Sequence, residues 1–160
     1  MASPSEVVAV DLTETERDFI SQALEQWALA ASVMPFPFQV LGLSTWDEFG
    51  ELTFRLGHAV TAREPLTDLD WARVLYLTEC SWASEIVGAG RGFATVSGYS
   101  DTDAVSLLRG LQRKIGGIKR AKLLFPKGGR PRTAEEIDDR KRWVEQVRRE
   151  QIEREYPPEL

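Results

Sequence analysis

Very few residues in this chain are of types that could do chemistry, and the first to weigh are His58 and Cys80, its one histidine and one cysteine. A histidine serves as general base when a carboxylate holds its ring in place, and Glu51 is the nearest acid upstream on the same predicted helix face. Two helical turns separate the pair, too far for direct contact, so His58 reads as a cover over Phe54. Cys80 falls between Tyr76 and Ser84 at helical spacing. It reads as a packed thiol, because a nucleophilic cysteine needs a cationic setting that lowers its pKa. One histidine and one cysteine supply no His-x-x-x-His or Cys-x-x-Cys pair, so the spacing of a metal site is missing. There is no Gly-x-x-x-x-Gly-Lys-Ser/Thr loop for phosphates, and Gly88-x-Gly90-x-Gly92 lacks the preceding strand of a dinucleotide site. It reads as a helix stop followed by a loop. The sequence predicts no catalytic residues, no metal and no cofactor.

Two features remain. Glu79 lies inside the apolar arc of its predicted helix, between Ile86 and Ala72 on a helical wheel. An isolated carboxylate there is costly, so an ion pair with Arg55, His58, Arg63 or Arg17 is expected, and loss of Glu79 is expected to cost stability. The alternative is a polar point on a pocket wall, with Arg55 and His58 beside it. The second feature is a run of nine cations uninterrupted by any acid: Arg109, Arg113, Lys114, Lys119, Arg120, Lys122, Lys127, Arg130 and Arg132. It follows a segment, 1–108, of net charge −11 and precedes one, 133–160, of net −3. Clustered cations of this kind bind phosphates with strong salt dependence, or dock on an acidic protein surface. Lys127-Gly128-Gly129-Arg130-Pro131-Arg132 resembles an AT-hook, with Gly128 where that motif has arginine.

The elements that must position these residues are helices. Thr13 with Glu16, Thr45 with Glu48, Thr67 with Asp70, Ser100 with Asp103 and Thr133 with Glu136 mark five helix starts. The first helix is predicted to run to Met34 with Phe19, Ile20, Ala23, Leu24 and Trp27 on its inner face and Gln26 opposite. The second covers about 46–63, with Phe49, Leu52, Leu56, Ala59 and Val60 inward. The third, about 68–88, is apolar over so much of its circumference that it belongs at the centre, with a narrow strip through Leu77 and Ser81 left for solvent or close neighbours. The fourth ends near Ile115 before Gly116-Gly117. Pro35 to Phe38 should be extended, and Phe93 to Val96 can form a short extended piece. The fold expected is all-α: a compact four-helix bundle-like body over 1–116, a basic Gly/Pro-containing linker over 117–133, and a charged amphipathic helical arm over 134–160.

Composition bounds the setting. The chain has 160 residues, 42% hydrophobic and 28% charged, which suits one globular core. A single cysteine fits a reducing, cytoplasmic compartment, and no secretion signal opens the chain. The uncharged stretch Gln26–Trp46 approaches the length of a membrane span, but Pro35 and Pro37 would break it at its middle, so no membrane partner is expected. The arm carries a thin stripe of Ile137, Val144 and Val147, with Trp143 beside it, too little apolar surface for a helix to stand alone. The expected function is a non-enzymatic, regulatory or adaptor protein-interaction module. It would dock through its basic linker and C-terminal helix to a protein or a second copy. A nucleic-acid-binding protein using the 109–132 block is one alternative. A small-molecule-binding bundle with Trp27, Trp46, Trp71 and Trp82 around a cavity is another.

Overall fold

A computed structural model of the chain describes residues 5–155, and these are mostly helical. The all-α reading holds. Helix α1, Glu14–Glu25, begins where expected: Thr13 Oγ1 accepts the Glu16 N–H at 3.1 Å, and the Glu16 carboxylate accepts the Thr13 N–H at 2.9 Å. Phe19, Ile20, Ala23 and Leu24 are buried. The helix stops at Glu25 and does not reach Met34; the backbone tightens into a 3₁₀ turn over Gln26–Ala28 and then doubles back. The tightening rotates Gln26 into the core with Trp27, which packs against Phe36 and Phe49 at centroid distances of 4.7 and 5.4 Å. Pro35 to Phe38 is not extended as expected: the Phe36 and Phe38 N–H groups close tight turns onto the Met34 and Phe36 carbonyls at 2.9 Å, and a 3₁₀ turn follows over Phe38–Leu41. Three aromatic rings and this turning segment decide where α1 ends.

Helix α2, Trp46–Thr61, buries Phe49, Leu52, Leu56, Ala59 and Val60 as its periodicity predicts. A two-residue strand unseen in the sequence, β1 (Val7–Val8), pairs antiparallel with β2 (Leu66–Thr67). Helix α3, Asp68–Ala83, follows directly and packs against α1. Trp71 fixes it to the small sheet by donating from Nε1 to the Val8 carbonyl at 2.7 Å.

Burial around α3 falls on a different strip from the expected one: Tyr76, Trp82 and Val87 are only half-buried and Ala83 is exposed. Leu77 and Ser81, placed on its outer strip by the wheel, are fully enclosed, and Ser81 Oγ donates to the Ala23 carbonyl at 2.7 Å. The helix ends five residues early because Ser84 is extended and the chain folds back, so that the Ala89 N–H reaches the Ser81 carbonyl at 2.8 Å. Gly88 permits this: a Cβ there would meet the Cys80 carbonyl oxygen at 2.0 Å. Ile86 is left exposed. Helix α4, Phe93–Ser97, replaces the extended piece expected there, because Phe93 turns inward onto the Phe19 ring at 5.6 Å.

Helix α5, Asp101–Ile115, is capped by Ser100 and ends at Gly116. Helix α6, Ile118–Leu124, lies inside the stretch expected to be a linker and packs on α3. The chain divides into two compact units between Lys127 and Gly128. The second unit holds α7, Ala134–Glu155, whose start carries the expected reciprocal Thr133–Glu136 bonds at 3.2 and 3.0 Å. Pro157-Pro158, whose rings predict a stop for this helix, lies outside the described residues.

Candidate functional site

The three residues expected to share a polar site are not brought together. Arg55, on α2, makes a two-point contact with Asp70 on α3, at 2.8 and 3.1 Å, and Arg73 binds the same carboxylate at 2.9 Å. Burial opposes the charge on Asp70, yet the bonds from Arg55 and Arg73 outweigh it and hold its pKa below the ordinary value. Asp70 escaped attention as an ion-pair partner because its role as a helix-start residue already accounted for it. Arg63 pairs with Glu14, and Arg17 donates to the Val60 carbonyl at 3.0 Å. None of the four partners expected for Glu79 is therefore its partner.

Glu79 instead faces α5. Burial pushes its pKa up, and a hydrogen bond from Gln112 together with the charge of Arg109 only partly offsets that. It stands on the wall of a cleft of about 360 Å³ between α3, α5 and α6, whose other walls are mostly apolar: Leu75, Tyr76, Ile115, Leu124 and Phe125. Arg120 borders the cleft, but its guanidinium is taken by Asp68 at 2.8 Å and by the Ile115 carbonyl at 2.9 Å. Tyr76 packs edge-on against Phe125 at 5.2 Å, and burial raises its hydroxyl to about 12. Burial also raises the Cys80 thiol, which favours the protonated, unreactive form.

His58 stacks on Phe54, with ring centroids 6.5 Å apart. The pair borders a trough of about 420 Å³ between α1 and α2, lined by buried Leu24, by Gly50 and Gly57, and by Leu29 and Glu25. Phe54 is 77% exposed and Leu29 56%. Gly50 is the feature that sequence reading passed over. Glycine inside a helix costs about 1 kcal/mol relative to alanine, yet a Cβ at Gly50 would meet nothing within 4 Å. Packing within this chain therefore gives no reason for the glycine.

Much of the basic block is already engaged. Lys114 pairs with the buried Glu16 at 2.7 Å, Lys119 with Asp68 at 3.2 Å alongside Arg120, Arg109 with Gln112 at 2.7 Å, and Arg130 with Glu136 at 2.7 Å. The bond from Lys119, with that from Arg120, lowers the Asp68 pKa. Among the described residues the side chains of Arg113, Lys122 and Lys127 make no hydrogen bond or ion pair, and the charge of Arg132 acts on Glu136. Helix α7 buries no residue: Trp143 is 61% exposed, and Ile137, Val144 and Val147 each about 40%.

Trp27 and Trp71 are core residues, and neither the trough nor the cleft is lined by tryptophan. No group of His, Cys, Asp and Glu among the described residues could hold a metal ion, and no helix there is long and apolar enough to cross a membrane. The chain matches no known protein family, no curated protein and no solved structure.

Proposed function

We propose that this chain is a self-associating helical interaction protein, in which α7 of one copy lies in the α1–α2 trough of a second copy. The observation that carries the reading is a trough bordered by exposed Phe54 and Leu29 and lined by an exposed helical glycine, Gly50, that its own packing does not require. A helix-interior glycine is retained at a cost, and close approach by an outside backbone accounts for it. The occupant is argued from α7, an amphipathic helix with nothing buried. Docking an apolar stripe into a groove is the ordinary way such a helix gains stability.

Dimensions and charge support the match. From Gly50 to Thr61 the trough runs about 16 Å, and the stripe from Ile137 to Val147 about 15 Å, at 1.5 Å per residue. Arg140, Lys141 and Arg148 flank the stripe, and the trough has Glu25 on its rim in a segment of net charge −11. In this reading residues 1–116 form a four-helix bundle-like scaffold, the basic block mainly ties α5 and α6 to the acidic helices, and docking falls to α7. One free thiol fits a cytoplasmic setting.

Sedimentation of the full chain tests the proposal. Wild type should show a concentration-dependent dimer. Val144→Asp and Gly50→Leu should each abolish it, the latter without loss of helicity. A monomer at all concentrations, or a dimer indifferent to both changes, overturns the reading. The nucleic-acid alternative rests on the unengaged Arg113, Lys122 and Lys127. It requires duplex binding that falls steeply with salt and weakens when these three are replaced by glutamine.

A further inference from the structure

We infer that the cleft between α3, α5 and α6 is a binding site for a protonated amine carried on an apolar body, with the Glu79 carboxylate as the group that receives the ammonium. The cleft is large enough for a small molecule, at about 360 Å³. Its lining is the kind that selects such a ligand: a mainly apolar wall from Ala72, Leu75, Ile115, Leu124 and Phe125, with one half-buried carboxylate on it.

The hydrogen bonding of Glu79 is what identifies the missing group. An ionised carboxylate has roughly four acceptor positions. Gln112 and the charge of Arg109 act on Glu79 from α5, and the Gln112 side-chain oxygen accepts from Arg109 at 2.7 Å. The nearest other cation on the wall, Arg120, is committed to Asp68 and to the Ile115 carbonyl. Glu79 is thus partly withdrawn from water, short of donors, and open to an apolar space. An ammonium supplies three donors and the opposite charge, and its hydrocarbon part covers Leu75, Leu124 and Phe125. An anion would meet the carboxylate, and a purely apolar ligand would leave it desolvated without a partner. This site is distinct from the α1–α2 trough, so its success or failure is independent of self-association.

Nuclear magnetic resonance titration of the full chain with n-hexylammonium and with 1-hexanol tests the inference. The ammonium should cause saturable shifts of the Ala72, Gly116 and Ala121 amides, with the alcohol binding the same place at least about tenfold more weakly. Glu79→Gln should bring the amine down to the alcohol's affinity, and Ala121→Phe, which fills the cleft from an exposed helix position, should remove both. Equal affinities for the two probes, shifts that map elsewhere, or amine binding unchanged in Glu79→Gln would each overturn it.

Discussion

Helices α3 and α7 begin alike and end in opposite circumstances. Each is opened by a threonine that accepts a backbone N–H three residues on, Thr67 from Asp70 and Thr133 from Glu136, both near 3.1 Å. Yet α3 hides Trp71, Val74, Leu77, Thr78 and Ser81 almost completely, whereas α7 hides nothing. Capping and propensity are therefore enough to specify that a helix forms, while burial decides what the helix is for. A buried helix makes the scaffold, and an exposed one with an apolar stripe waits for a surface.

The sharpest test of this contrast exchanges tryptophans. Trp71→Ala should cost about 3–5 kcal/mol of unfolding free energy, through the cavity and the lost bond to Val8, as measured by urea denaturation. Trp143→Ala should leave that denaturation curve within about 0.5 kcal/mol of wild type. Comparable losses at the two positions would erase the distinction between the helices.

Ion pairs should divide the same way. Asp70→Asn should cost about 1–2 kcal/mol, since it leaves Arg73, only 22% exposed, without its carboxylate. Asp139→Asn on α7, where both partners are mostly exposed, should be silent. Glu16, Asp68 and Asp70 all have native pKa values below their ordinary ones. Their contribution is therefore complete above about pH 5 and lost as pH falls through the lower native values. Glu79 has the opposite sign: with its native pKa raised, the charged form weakens the fold at neutral pH, so Glu79→Gln should raise the melting temperature there. A drop would restore the ion-pair expectation.

Smaller effects refine the picture. Thr67→Ala should cost about 1 kcal/mol of global stability. Thr133→Ala should spare global stability and only reduce helical circular dichroism. Gly50→Ala should stabilise the chain by about 0.5–1 kcal/mol, because the added methyl meets nothing and alanine favours helix. Destabilisation there would mean that the glycine serves the scaffold rather than a docking partner.

How much of this was legible depends on the range of the interaction involved. The five cap pairs and the inner stripe of α2 follow from residue types and short spacings, whereas the acids taken by Lys114, Lys119 and Arg120 lie some fifty residues or more away in the chain. Helix ends did not follow in the same way: α1 stops where Trp27 must meet Phe36 and Phe49, and α3 where Gly88 passes the Cys80 carbonyl. The partners of Glu79 were also hidden, because Arg55 has a choice between two acids and only the crossing of α2 with α3 shows that Asp70 is within its reach.

Local chemistry thus specified that the chain would be helical, where five of its helices would start, and that α7 would be amphipathic and highly charged, since hydrogen bonds three residues apart and side-chain periodicity are properties of the chain itself. Which faces are covered, which acid each arginine takes, and where a trough and a cleft remain were settled by the packing of helices against one another. Those outcomes depend on distances between residues far apart in the chain, and no local pattern encodes them.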